Sequence, residues 1–164
     1  MSDILNPIVQ TALEKLAIEY TAVECDPDSA DTAEFCAKYG YSLEQSANAL
    51  LVGSTKGDPK FAACLVLANC RLDVNKTVRQ KLEVRKLSFA SPEDTRKITG
   101  MELGGVTPIA LPADLPLWID SRVLDCEQII IGGGNRSSKL LLAPTELHKV
   151  PQAEFVEGLA KQAN

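Results

Sequence analysis

Histidine is nearly missing from this chain: His148 is the single one among 164 residues, and it follows T-E-L in a segment read as a surface helix. A solvated side chain there leaves no obvious imidazole for general-base work. Cysteine is present but unpatterned. Cys25, Cys36, Cys64, Cys70 and Cys126 are odd in number, widely spaced and lack a C-x-x-C pair, so neither a zinc site nor a disulfide framework is signalled. Cys64 sits in an apolar run and reads as core, while Cys25 and Cys126 fall near strand ends. Excess positive charge is also lacking. Lys and Arg number 17 against 22 acids, a net charge of −5 with a pI of about 4.9, which disfavours non-specific phosphate binding. The densest positive run, Lys76, Arg79, Lys81, Arg85 and Lys86, reads either as the solvated face of a helix or as a local basic patch. No apolar run approaches the roughly 20 residues that span a bilayer, and M-S-D-I-L-N-P shows no basic stretch leading into an apolar core. A reducing cytoplasm and no membrane association are expected. No G-x-S-x-G is present, so an acyl-enzyme hydrolase has no local support.

What is present is an ordinary globular balance, 45% hydrophobic and 24% charged, at a length that fits one domain over residues 1–164. Leu5, Ile8, Val9, Ala12, Leu13 and Leu16 recur at helical spacing with Pro7 near the start, predicting a helix over about 6–19. Thr21 to Cys25 reads as a short strand. Ser29 or Asp31 can cap a helix from Thr32 to Lys38 that Gly40 ends. Apolar runs at 49–52 and 61–68 flank S-T-K-G-D-P-K, predicting a hairpin. A helix from Asp73 or Asn75 to about Glu83 precedes V-R-K-L-S-F-A, which alternates as a half-buried strand does. Ser91, Pro92, Glu93 and Asp94 open a helix that ends at Gly100. L-P-L-W-I-D and E-Q-I-I-I-G read as buried strands, and K-L-L-L-A-P leads into a short helix. The irregular alternation predicts an α/β (α+β) domain, a mixed β-sheet or half-barrel flanked by helices.

Two glycine clusters stand beside apolar runs. In L-G-G-V-T-P, Gly104 and Gly105 let main-chain amides approach a ligand, and two such N–H groups can hold an oxyanion without a charged side chain; a plain turn is the other reading. I-I-I-G-G-G-N-R-S-S-K matches neither G-x-G-x-x-G nor G-x-x-x-x-G-K-[ST], which leaves a strand-end loop whose Arg136 and Lys139 suit an anionic group or are simply solvated. Asp120, closing L-W-I-D, is either a turn-former or a site residue.

In this order, A-L-L-V (49–52), R-L-D-V-N-K (71–76), E-V-R-K-L-S-F-A (83–90), T-G-M-E-L-G-G-V-T-P-I-A-L (99–111), L-P-L-W-I-D (115–120) and I-I-I-G-G-G-N-R-S-S-K-L (129–140) resemble the YbaK family of aminoacyl-tRNA deacylases, the domain also inserted in bacterial prolyl-tRNA synthetase. The resemblance implies a mixed-sheet fold with flanking helices. It implies a trans-acting hydrolase that clears tRNA mischarged with a small amino acid, without metal or cofactor. Mischarged tRNA is the implied partner, with room for an aminoacyl-tRNA synthetase. By that resemblance Gly104, Gly105, Thr107 and Pro108 line the aminoacyl pocket, and Asp120 with Gly132, Gly133 and Gly134 forms the opposite wall. Arg136 and Lys139 lie towards the tRNA, with Ser137 among the binding residues. The family usually carries a lysine about two residues before the L-L-V strand, where this chain has Asn48. Either the chemistry differs here, or activity is reduced, or the protein is a binding module without turnover. Water attack assisted by a ribose hydroxyl tolerates a missing histidine.

Overall fold

The computed structural model describes residues 4–54 and 58–163. Helix α1 (Pro7–Lys15) starts where expected, because the Asn6 side chain accepts hydrogen bonds from the N–H groups of Ile8 and Val9 and Pro7 occupies the first turn. Val9 and Leu13 are buried, but Ile8 is 70% exposed, so the buried stripe is narrower than the spacing predicts. Strand β1 (Thr21–Glu24) leads to α2 (Thr32–Tyr39), which closes on Gly40 in the left-handed region.

The predicted hairpin is β2 (Ala47–Ser54) against β3 (Lys60–Leu67), antiparallel over eight residue pairs; its S-T-K-G-D-P-K turn falls partly outside the described residues. β4 (Cys70–Leu72) follows. A π-helical turn over Val74–Val78, with Val78 N–H donating to the Asp73 carbonyl, then runs into α3 (Arg79–Leu82). The half-buried strand expected at V-R-K-L-S-F-A shrinks to β5 (Ser88–Phe89), because only Val52 and Gly53 of β2 offer it a ladder. Helix α4 (Pro92–Thr99) has the predicted Ser91 cap, its Oγ accepting from Asp94 N–H, and ends at Gly100. β6 (Leu117–Asp120), β7 (Ile129–Gly132) and β8 (Ser138–Leu142) follow, then β9 (Ala153–Val156) and β10 (Ala160–Gln162).

Five strands form a mixed sheet in the order β5-β2-β3-β6-β9, antiparallel up to β3 and parallel beyond it. A second sheet, β1-β8-β7, is antiparallel, and β10 pairs with β4. The larger sheets are joined at one point, a parallel bridge between Ser46 and Ile130. Between them lies the main core, where Leu51, Leu65, Leu117 and Ile119 of the five-stranded sheet belong to one cluster with Ile129, Ile131 and Leu140 of the other. Cys64, Val66 and Trp118, on the opposite face by strand alternation, pack with Val78, Leu82 and Leu159.

The bridge positions the site. Leu51 C=O accepts from Ala90 N–H on the β5 side, and Gln45 C=O accepts from Ile130 N–H on the β7 side. Alternate residues of a strand send their polar groups to the same edge. The N–H and C=O of Ala49 therefore point outward between these two contacts, where neither β5 nor β7 pairs.

Candidate functional site

A cavity of about 280 Å³ occupies that gap. Its walls are the Asp31 N-cap position and first turn of α2 (Thr32, Phe35), Ser46 with β2 as far as Leu50, the loop Leu103, Gly104 and Val106, the end of β7 (Ile130 to Gly132) and Lys139 of β8. Most of the wall is apolar, and the volume suits a small group.

Its polar wall residues are Asp31, Thr32, Ser46, Asn48 and Lys139. Asn48 is held from α2, the Thr32 hydroxyl donating to its Oδ1, which leaves its two amide N–H donors unspent among the described residues. Lys139 comes from the far sheet. Its Nζ donates to the carbonyls of Ala30 (2.6 Å) and Gly104 (2.7 Å) and lies 5.5 Å from the centre of the Phe35 ring. Only 6% of the residue is exposed, and among the described residues no carboxylate lies within ion-pair distance of it. Burial pushes its pKa below the usual lysine value of 10.5. An ammonium has three donors, and two are spent on carbonyls.

Arg136 does not reach outward as the sequence reading has it. Its Nε donates to Pro27 C=O (2.9 Å), and Nη1 bonds both Leu103 C=O (2.7 Å) and the Asp31 carboxylate (3.1 Å). The guanidinium thus ties the 103–104 loop to the start of α2, two walls of the cavity. Asp31 sits at the N-cap of α2 without capping it, its carboxylate being used on Arg136.

The glycines divide. Gly104 lines the cavity at φ +87°, and a Cβ there would run into the Arg136 guanidinium. Gly105 is one step behind: its N–H closes a turn onto Glu102 C=O (2.9 Å), its C=O accepts from Gly134 N–H (2.6 Å), and the expected two-amide cradle has at most the Gly104 donor. Gly132 reaches the cavity wall and packs so tightly on the 105–106 main chain that a Cβ would strike the Val106 carbonyl. Gly133 and Gly134 are buried behind it, Gly134 accepting a hydrogen bond from the Asn6 side chain. Thr107 and Pro108 are buried in the loop, the Thr107 N–H directed at the Met101 sulfur (3.5 Å). Ser137 gives its carbonyl to Cys25 N–H, outside the lining.

Asp120 does not join these residues. It lies on β6, across β3 from the strand that carries Asn48, and it is fully buried. Neither carboxylate oxygen has a hydrogen-bond partner; burial raises its pKa, partly offset by the Arg122 charge, and the Ala160 and Arg122 amides pull the same way as that charge without reaching bonding geometry. The sequence reading has the helix α2 but not its place as a wall of the cavity. Thr32 and Phe35 read as ordinary helix residues, and Ser46, which contacts the Cys36 sulfur at 3.1 Å, carries no motif.

Among the described residues no group of three or more His, Cys, Asp or Glu is placed to hold a metal ion, and no helix is long and apolar enough to cross a membrane.

Comparison with known proteins accords with this architecture. The family model of the aminoacyl-tRNA editing domain matches residues 26–150. The uncharacterized protein YwhH of Bacillus subtilis is 28% identical over 85% of this chain and 86% of its own length. A candidate Cys-tRNA(Pro)/Cys-tRNA(Cys) deacylase, EbsC of Enterococcus faecalis, is 26% identical over 51% of this chain and 56% of its own. The proline--tRNA ligase of Caldicellulosiruptor bescii is 36% identical over 47% of this chain, which spans 13% of the ligase. A crystal structure of a candidate trans-editing enzyme for prolyl-tRNA synthetase superposes with a TM-score of 0.79 at 25% identity, covering 97% of this chain and 99% of that one. The chain is a member of the aminoacyl-tRNA editing domain family.

Proposed function

We propose that this protein is a trans-acting deacylase that hydrolyses the ester between a tRNA 3′ end and a small amino acid. The observation that carries the reading is a small, largely apolar cavity containing a buried ammonium that, among the described residues, has no carboxylate within ion-pair distance. A buried charge without a counter-charge is costly, and an ester carbonyl that becomes an oxyanion supplies the missing negative charge as the reaction proceeds. Water adds to the carbonyl carbon, and the electron pair moves onto the carbonyl oxygen. The third Lys139 N–H, the Asn48 amide and the Gly104 N–H are the donors available to that oxygen. Collapse breaks the bond to the ribose oxygen, which takes up the proton that the attacking water gives up; the neighbouring ribose hydroxyl can relay it, since the carboxylate on the cavity wall, Asp31, is engaged by Arg136. The cavity is near the lower end of ligand pockets in size, so rejection of larger side chains is steric.

The alternative, a binding module without turnover, is favoured by Asn48 standing where the family usually has lysine. Lys139 answers it by bringing an ammonium into the same space from β8. The test is a panel of labelled aminoacyl-tRNAs: release above buffer is expected for alanyl-size or similarly small groups and for none of the large aliphatic or aromatic ones. No release from any small aminoacyl-tRNA ends the catalytic reading. Activity gained on Asn48→Lys would favour the binding module, because in the deacylase a second ammonium beside Lys139 disfavours both charges.

A further inference from the structure

The basic run that begins as a sequence pattern closes into a surface beyond the acyl cavity. Arg79, Arg85 and Lys86 face a hollow of about 530 Å³ with Asn75 and Ser88 on its rim, and among the described residues no carboxylate lines it. None of the three cations is ion-paired among the described residues, in a chain whose net charge is −5. Asp58 and Glu83 line an adjoining hollow, which limits the cationic zone on that side. On the other side stands Phe89, 56% exposed on the two-residue edge strand β5, facing a further hollow with Arg71 and Lys161 that shares Asn75. Asp73 is also in that hollow, its carboxylate engaged by the Thr77 hydroxyl at 2.8 Å.

An exposed aromatic ring beside unpaired cations is the combination that single-stranded nucleic acid requires: a stacking platform, and charges along the phosphates. The position fits as well. Leu50 lines the acyl cavity and Gly53, three residues along the same strand, lines the cationic hollow, about 10 Å apart at 3.3 Å per residue. Phe89 is registered opposite Val52, between them. A strand whose terminal ester enters the cavity passes this rim within one or two nucleotides.

We infer that the β5 rim, Phe89 with Arg79, Arg85 and Lys86, holds the single-stranded 3′ end of the tRNA, stacking a base on Phe89 and pairing phosphates with the cations. The inference rests on the deacylase reading for the identity of the RNA, so its test uses binding rather than turnover. Uncharged bulk tRNA is titrated against the wild type, Phe89→Ala and the triple variant Arg79→Ala/Arg85→Ala/Lys86→Ala at several salt concentrations, with thermal melts confirming that each is folded. Phe89→Ala is expected to weaken binding about tenfold, within the range measured for one stacked base. The triple variant is expected to flatten the slope of log affinity against log salt by about 2, at roughly 0.7 per lost phosphate contact. tRNA trimmed of its single-stranded 3′ terminus is expected to bind the wild type as weakly as intact tRNA binds the triple variant. Variants that bind within twofold of wild type, or trimmed tRNA that binds as well as intact tRNA, overturn the inference. Hydrolysis by a wild type whose tRNA affinity these changes leave alone ends this inference only; specific binding with no hydrolysis of any ester ends the deacylase reading and leaves the rim standing.

Discussion

Lys139 and Asp120 are both buried charged residues on interior strands, at 6% and 0% exposure, yet they have opposite surroundings. Lys139 is held by two carbonyls and borders a cavity. Asp120 has no hydrogen-bond partner and borders none of the cavity's walls. Desolvation acts on both, lowering the lysine pKa and raising that of the aspartate. The difference is whether a ligand can bring the counter-charge. Beside a cavity, a buried charge can be neutralised by the transition state of a reaction; inside packed side chains, it only destabilises.

The largest effect expected from breaking this contrast is Lys139→Met. Single-turnover deacylation should fall by about 10² to 10³, the range for loss of one oxyanion donor, without a lower melting temperature. A loss of less than tenfold would remove Lys139 from the chemistry. The pH dependence gives a second readout of the same residue. Its folded pKa lies below the unfolded 10.5, so between the two the unfolded chain holds more protons and stability rises with pH. Activity should fall across that same window as the ammonium is lost. Opposite trends of melting temperature and deacylation rate on the alkaline side, both absent in Lys139→Met, check it.

Arg136→Ala tests whether the clasp shapes the cavity. Its bonds run to partly exposed groups, so the stability cost is about 1 kcal/mol, while KM for aminoacyl-tRNA should rise several-fold as the 103–104 loop parts from α2. An unchanged KM would show that the loop holds its place without the guanidinium.

The smallest effect is expected at Asp120. Replacing a partnerless buried carboxylate by its neutral isostere, Asp120→Asn, should stabilise the fold by roughly 1 kcal/mol at neutral pH, or about 2–4 °C in Tm, with kcat within about twofold of wild type. Because burial raises its pKa, the wild type gains stability as pH falls from the folded value towards 3.8, and Asp120→Asn should lose that gain. A large loss of turnover in this variant would return Asp120 to the site.

Local signals carried much of the chain. The Asn6-Pro7 and Ser91-Pro92 starts, the Gly40 and Gly100 stops and the β2–β3 hairpin depend on contacts within a few residues, and each is where the pattern places it. Strands β4, β8, β9 and β10 went unread because they are three to five residues long and are strands by virtue of distant partners: Cys70–Leu72 against Ala160–Gln162, Ser138–Leu142 against β1, and Ala153–Val156 against β6. Of the predicted site residues, Asn48, Gly104, Gly132 and Lys139 meet at the cavity, whereas Gly105, Thr107 and Pro108 are one layer behind it. Asp31, Thr32 and Phe35 had no chemical signature, since a helix start and an apolar helix position look alike wherever they end up.

The sequence by itself placed glycines at 104–105 and 132–134, where either a close approach or a plain turn is open to the chain, and its ordered motifs carried the resemblance to the family. Only the tertiary structure decided which charged side chain enters the cavity. Lys139 and Arg136 differ in sequence by three positions on one loop and strand, and one is drawn into the interior while the other clasps its rim. That outcome depends on where β8 meets α2 and the 103–104 loop, partners 30 or more residues away along the chain, and no local spacing encodes it.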